Sequence, residues 1–405
     1  MTHRERMLRC IRGQKTDQIP WVPRLDLWYH ANKRAGTLPH RFRHASLLEL
    51  LEELDLGYHA VIPDYLNLRG PEDDQDRALG IYNLEILPCE TVLEEVDRTV
   101  SRTVDRTHVT YSTPAGKVST TVLYDDEMRK AGITNKHVEE YPIRTLDDYA
   151  AVGHIFSNAR AEENYQGYQE YAAHVGDRGI AVAYVSPSAS PMHYIQRELM
   201  TYETFVYHMF DHPDELTELA RQVEIYWQRL TQCALECPAD VFLLGANYDA
   251  DLTYPPFFEQ HLLPQLKQYA DRLHNKGHYL LSHTDGENRG LLDLYVRAGI
   301  DISDSICPSP MTSHTIGQVR EALGTMTIMG AIPSVSLLPE AMPNREFDAF
   351  LDQFFFDIGQ GEHLILSIAD TAPPAADFGR ILRIGEMVRQ FGPVSGDRQP
   401  SGGSS

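Results

Sequence analysis

The chain has 405 residues, 42% apolar and 23% charged, which is enough apolar material for a large core and excludes global disorder. Its 36 basic and 58 acidic side chains leave a net charge of −22. That surplus repels phosphate backbones and anionic lipid, so the composition argues against nucleic-acid and membrane partners and for an acidic, cytoplasmic surface. At the N-terminus, Met1-Thr2-His3-Arg4-Glu5-Arg6 lacks the apolar stretch of a signal peptide, and no apolar run of membrane-spanning length follows. Short apolar runs ending in polar or small residues are expected as strands over 19–26, 59–64, 180–186, 240–247, 278–283, 299–304, 326–332 and 363–370. Helical patterns lie among them over 46–54, 213–235, 257–275, 288–298, 313–323 and 344–359. Strand alternating with helix points to a parallel α/β fold, and eight runs are what a (β/α)8 TIM barrel needs.

One stretch breaks the rhythm. Residues 87–125 alternate Thr and Val around the turn Pro114-Ala115-Gly116-Lys117, as antiparallel hairpins do. They are expected as a β-hairpin insertion after the second strand of a single barrel domain over 1–394. Residues 126–179 are expected to be mostly helical and exposed, and 395–405, rich in Gly and Ser, to form a disordered tail. Five cysteines make no disulfide framework. Cys233 and Cys237, four apart on a helical stretch, are better read as packed thiols than as a metal pair.

A parallel barrel carries its chemistry at the C-terminal ends of its strands. The fifth run ends Ser282-His283-Thr284-Asp285-Gly286, and a His and a carboxylate two apart on a strand point the same way. They suit one metal ion or an oriented acid–base pair. The sixth run offers Asp304 or Cys307 as a further ligand, the thiolate favouring zinc, although Cys307 is equally readable as a packed thiol. The fourth ends at Asn247 and Asp249: Asp249 is an acid, base or ligand candidate, Asn247 a substrate contact, and Asp251 a turn cap. Asp370 ends the eighth run as a cap or a site residue. The first run places Arg24 and Asp26 on one side, as a carboxylate clamp or a structural pair, with Tyr29 a substrate-side aromatic or a core residue. The chain carries no dinucleotide fingerprint, phosphate loop or serine nucleophile elbow.

Several of these segments together resemble the uroporphyrinogen decarboxylase superfamily. They are Thr2-His3-Arg4-Glu5-Arg6-Met7, Arg12-Gly13 through Ile19-Pro20, Pro256-Phe257-Phe258 through Leu263-Pro264, His274-Asn275-Lys276-Gly277, His283-Thr284-Asp285-Gly286, Gly299-Ile300-Asp301 and Leu364-Ile365-Leu366-Ser367. The resemblance covers most of the chain outside the insertion and tail. It implies a β/α barrel and two activities: cofactor-free decarboxylation of porphyrinogen acetates, and zinc-dependent methyl transfer with corrinoid proteins. The arginine-rich loop of the decarboxylases is absent, so the chain is closer to the methyltransferase branch. The thiol-methylating members carry cysteine where this chain has Asp285, and again after the eighth strand, where it has Ala369-Asp370.

The expected function is therefore a corrinoid-dependent methyltransferase, an O-demethylase or its like, that moves a methyl group from a small methoxylated or methylated donor to a cobalamin carried by a partner protein. His283, Asp285 and Asp249 are its expected catalytic residues. His283, Asp285, Cys307 and Asp370 are the expected zinc ligands, and Arg24, Asp26, Tyr29 and Asn247 line the substrate. Homodimerisation is expected by analogy. The alternative is a metal-independent decarboxylase in which Arg24 and Arg34 bind carboxylates; a non-catalytic binding subunit is a third reading.

Overall fold

The computed structural model describes residues 1–395, so all but the first residue of the expected disordered tail lies outside the described residues. Its strands are, in chain order, β1 (Cys89–Val92), β2 (Asp97–Arg102), β3 (Arg106–Thr113), β4 (Gly116–Leu123), β5 (His137–Glu140) and β6 (Arg160–Glu163). They continue with β7 (Ala183–Ser186), β8 (Val241–Ala246), β9 (Tyr279–His283), β10 (Ile302–Ile306), β11 (Thr327–Ile332) and β12 (Leu364–Ile368). The last six form one parallel sheet in the order β12-β11-β10-β9-β8-β7, with helices in the connections. Every residue of these six strands except Tyr279 is buried, because a parallel sheet is covered on both faces.

Alternation sorts those residues into two cores. Val182, Tyr184, Val241, Leu243, Leu281, Ile302, Met329 and Ile365 share one face with Val22 and Val61, and the helix His3–Ile11 packs against it through Met7, Leu8, Cys10 and Ile11. Phe242, Leu244, Leu280, Ile328 and Leu366 face the surrounding helices instead. Helix Pro213–Leu235 shows why these helices form where they do. Proline opens it, Asp214 and Glu215 face its positive end, and Leu216, Leu219, Val223, Tyr226, Trp227 and Leu230 recur at helical spacing along its buried side.

The first two of the eight expected strands are not regular strands. Residues 20–22 touch β12 through one parallel bridge, Trp21 with Leu366, flanked by Val22 N–H to Leu366 O at 2.9 Å and Leu366 N–H to Pro20 O at 2.8 Å. Gly57 N–H donates to Trp21 O at 3.0 Å, Tyr58 N–H to Arg178 O at 2.7 Å and Val182 N–H to Ala60 O at 3.1 Å. These bonds link the two edges of the sheet through residues 20–22 and 57–60, giving a barrel-like α/β fold. Pro20 and Pro23 have no N–H to donate, which limits the ladder there.

The insertion is larger than a hairpin. Strands β2, β3, β4 and β5 form a four-stranded antiparallel sheet, and β1 pairs antiparallel with β6. The helix Tyr149–Asn158 is not exposed as expected: Ala151, Val152, Ile155 and Phe156 are buried, its apolar face packing against the insertion and the helix Pro213–Leu235. Among the described residues, no helix is long and apolar enough to cross a membrane.

Gly245, one residue before the end of β8, has φ +85°, and a Cβ there would lie 1.8 Å from Tyr248 Oη and 2.9 Å from Ala189 Cβ. Left-handed backbone and overpacking each cost about 1–3 kcal/mol, so Gly245→Ala is expected to destabilise the protein by about 2–5 kcal/mol. Urea unfolding monitored by tryptophan fluorescence measures this, and an unchanged midpoint would refute the steric argument.

Candidate functional site

The parallel register of β9 and β10 sets Asp304 beside His283. The Asp304 carboxylate, 1% exposed, accepts from His283 Nδ1 at 2.6 Å and from His59 Nε2 at 3.4 Å. Its backbone oxygen accepts from Thr284 N–H at 2.7 Å and Thr284 Oγ1 at 3.0 Å. A carboxylate only accepts, so His283 carries a proton on Nδ1, and in the neutral ring the Nε2 lone pair is left for the cavity. Nε2 lies 3.8 Å from Asp370 Oδ1.

Arg24 ties the neighbouring acids together. Its Nη1 donates to Asp370 Oδ1 at 2.8 Å, and its Nε and Nη2 reach the two oxygens of Asp26 at 3.2 and 3.4 Å. Asp370 leaves the strand with φ +58°, and its N–H donates to Ser305 Oγ. Asn247, Ser305 and Ala331 have φ of +56°, +65° and +77°, so four non-glycine residues at or near the ends of β8, β10, β11 and β12 occupy the left-handed region. Such residues persist where surrounding structure over-determines them, as it does at functional sites.

The donor atoms of His283, Asp285 and Asp370 lie within 4.8 Å of one another. Burial acts to lower the His283 pKa, but the Asp304 hydrogen bond and the charges of Asp304, Asp370 and Asp285 outweigh it and leave the imidazole above its ordinary value. Burial raises the Asp285 pKa despite nearby His283. Asp304 is buried too, yet its two imidazole partners hold it well below the carboxylate range. One guanidinium, Arg24, thus faces Asp26, Asp304 and Asp370, while Asp285 adds its charge beside Asp304 and Asp370, and this end of the cavity is strongly anionic.

Arg24, Asp26, Asn247, His283, Asp370 and Thr371 line one cavity of about 270 Å³. Three other expected site residues point elsewhere. Both oxygens of Asp249 accept backbone N–H groups, Oδ1 from Asp251 at 2.8 Å and Leu252 at 3.4 Å and Oδ2 from Glu287 at 3.1 Å, so Asp249, not Asp251, caps the turn. Tyr29 is buried in the helix Asp26–Ala35, where its hydroxyl donates to Ala45 O at 2.8 Å and accepts from Lys33 Nζ at 2.6 Å. The chain turns into that helix at Asp26, which carries Tyr29 away from the cavity. Cys307 stands outside the three-donor group: its thiol lies 3.7 Å from Pro308 O, and burial, with nearby Asp285, Asp370 and Glu287, pushes its pKa up to about 12.

The remaining walls come from residues that no strand-end motif marks. Tyr65 and Tyr184 line the cavity, as do Arg197 and Gly132-Ile133-Thr134-Asn135 from the connection between β4 and β5. His59 opens an apolar run and was legible only as a strand start; its Nδ1 is buried and has no hydrogen-bond partner among the described residues.

No family model matches the chain, and no curated protein matches it in sequence. Among solved structures it is similar to a methyltransferase from Methanosarcina mazei, with a TM-score of 0.52 and 15% identity over 96% of this chain and 99% of that one. At that identity the likeness is one of fold.

The His283–Asp304 pair has a pH signature in metal-free protein. A histidine whose folded pKa is raised adds stability below about pH 6.5, lost as pH rises through the folded value. An aspartate whose folded pKa is depressed adds stability above about pH 3.9, lost as pH falls. The pair therefore favours the fold most between about pH 4 and 6.5. In Asp304→Asn that maximum is expected to flatten and the His283 titration, followed by ring NMR, to fall below about 6.5, since burial is then opposed only by the more distant charges. An unmoved His283 titration would count against Asp304 as its partner.

Proposed function

We propose that this chain is a methyltransferase of the uroporphyrinogen decarboxylase superfamily, taking a methyl group from a small methoxylated or methylated donor to a cobalamin on a partner protein. In this reading residues 1–394 are one eight-stranded β/α barrel whose first two staves are residues 20–22 and 57–60. The fold likeness to a methyltransferase supports the class of reaction. The observation that carries the reading is the cavity-facing Nε2 of His283, with its tautomer set by Asp304 and two carboxylates within metal-binding reach.

That donor set fits a divalent cation. A histidine held by a carboxylate through its other nitrogen is the arrangement in which metal-bound imidazoles occur, and zinc accepts imidazole and carboxylate ligands together. His283, Asp285 and Asp370 would hold it, and the surplus of acids over Arg24 favours a dication at this end. When bound, zinc supplies Lewis acidity to the atom that loses its methyl group, while the partner's cobalamin supplies the nucleophile. The chain's own part is positioning. Asp304 fixes the imidazole plane, Arg24 keeps Asp26 and Asp370 from repelling one another, and the cavity walls orient the donor. The two arginines that the decarboxylase alternative assigns to substrate carboxylates are engaged within the chain, Arg24 by Asp26 and Asp370 and Arg34 by Asp126.

Metal analysis of the purified protein is expected to find stoichiometric zinc, lost in His283→Ala and bound about 10–100-fold more weakly in Asp304→Asn. Mixing with cob(I)alamin and methoxylated aromatics or methylamines is expected to produce methylcobalamin absorbance. A metal-free protein that decarboxylates a porphyrinogen or another carboxylated substrate would overturn the reading.

A further inference from the structure

The end of the cavity formed by Arg197 and the tyrosines has the opposite polarity. The short helix Pro191–Tyr194 runs into a π-helix over Ile195–Leu199, a rare local geometry that recurs at functional sites. That turn delivers Arg197 to the cavity wall. Beside it, Glu198 is buried between two guanidiniums, accepting from Arg197 Nε at 2.9 Å and Arg77 Nη1 at 3.1 Å. Two cations thus share one carboxylate at this end, whereas near His283 one guanidinium faces the three carboxylates of Asp26, Asp304 and Asp370, with Asp285 beside them.

The hydrogen-bond inventory has the same bias. Arg197 Nη1 donates to Ala246 O at 3.1 Å, and its Nη2 has no acceptor among the described residues. Tyr65 Oη and Tyr184 Oη are 3.2 Å apart, so the pair uses one hydroxyl hydrogen between them and keeps another for a ligand. Burial raises both phenol pKa values, so both remain protonated donors at neutral pH. Asn135 accepts from Arg77 Nε at 2.9 Å through Oδ1, and its Nδ2 has no acceptor among the described residues. A guanidinium N–H, a phenol O–H and an amide N–H thus remain to be satisfied on this wall, beside a net positive charge. Partly buried donors that face a cavity in this way suit a ligand acceptor, and a carboxylate offers two oxygens to a guanidinium and a hydroxyl at once.

We propose that the substrate is a small carboxylic acid whose carboxylate is held by Arg197, the Tyr65–Tyr184 pair and Asn135, with its methyl-bearing end toward His283. Only the choice of reacting end rests on the methyl-transfer reading; the carboxylate pocket stands on its own donors and charge. The pocket makes Arg197 the residue that selects acids over their neutral analogues.

Calorimetric titration of the full-length protein with methoxyacetate, 3-methoxybenzoate, 4-methoxybenzoate and N,N-dimethylglycine, each against its primary amide, tests this. At least one acid is expected to bind about 10–100-fold more tightly than its amide, the range for losing a charge-assisted hydrogen bond. Arg197→Met is expected to abolish that preference, Arg197→Lys to keep part of it, and Tyr184→Phe to reduce it severalfold. Should Arg197→Met fail to fold, the Lys and Phe variants carry the test. The proposal is overturned if no acid is preferred over its amide, or if the preference survives in folded Arg197→Met or, failing that, is unmoved in both other variants. Binding requires neither zinc nor cobalamin, so an acid preference without methyl transfer upholds the pocket and sinks only the proposed reaction. Methyl transfer from an uncharged methoxy compound, with a KM that Arg197→Met leaves unchanged, sinks the pocket alone.

Discussion

A carboxylate sealed from water costs several kcal/mol unless its oxygens are matched, and Asp304 is such a group. Two imidazoles meet that requirement, one from β9 and one from His59 within the 57–60 segment. The demand acts in both directions. Asp304 needs N–H donors, so His283 keeps its proton on Nδ1. With Nδ1 committed, only Nε2 remains to face the cavity, and it faces Asp370. The position of the cavity-facing nitrogen is thus a consequence of burying one acid on the neighbouring strand, in a register set by ordinary parallel pairing.

A cluster of acids this dense requires a counterweight. Arg24 bridges Asp26 and Asp370, two groups that Coulomb repulsion would otherwise separate or protonate. The left-handed backbone at Asp370, Ser305 and Asn247 is a second cost accepted at the same place. Ser305 turns so that its hydroxyl receives the Asp370 N–H, and Asn247 N–H donates to His283 O at 2.8 Å. Strain and charge are concentrated at one end of the sheet, while the apolar face below it, from Leu281 through Ile302 to Met329, carries neither. Stability is supplied where the chain is apolar and spent where it is polar.

Much of this architecture is legible in the sequence because it rests on local periodicity. The helix Pro213–Leu235 matches its expected bounds, and the later six strands begin and end within a few residues of the expected runs. The run expected over 299–304 starts later, at Ile302, because Gly299 turns with φ +76°. His283 and Asp370 were readable as strand-end polar residues, and Arg24 with Asp26 as a pair on one side. The fate of Asp249, Tyr29 and Cys307 was not readable, since it depends on which backbone N–H groups, carbonyls or acids lie nearby after folding. Asp304 was visible as a ligand candidate but not as the partner that sets His283's tautomer, which requires the β9–β10 register. Arg197 carries no strand-end signature at all, because a π-turn rather than a strand brings it to the wall.

The insertion is tied to the site by contact as well as by sequence. Gly132, with φ +79°, packs so closely on the helix Asp26–Ala35 that a Cβ there would lie 2.4 Å from Leu27 O. That contact presses the 132–135 wall against the helix that begins with Asp26, the acid held by Arg24. Asn135, at the far end of the same wall, joins Arg77 and through it Glu198 and Arg197. The antiparallel sheet therefore connects the anionic and cationic ends of the cavity through one short segment. A displacement of that segment moves the Asn135 donor relative to the Arg24–Asp26 pair. The distance over which a ligand must reach is thus set by how the insertion docks, not by the parallel sheet alone.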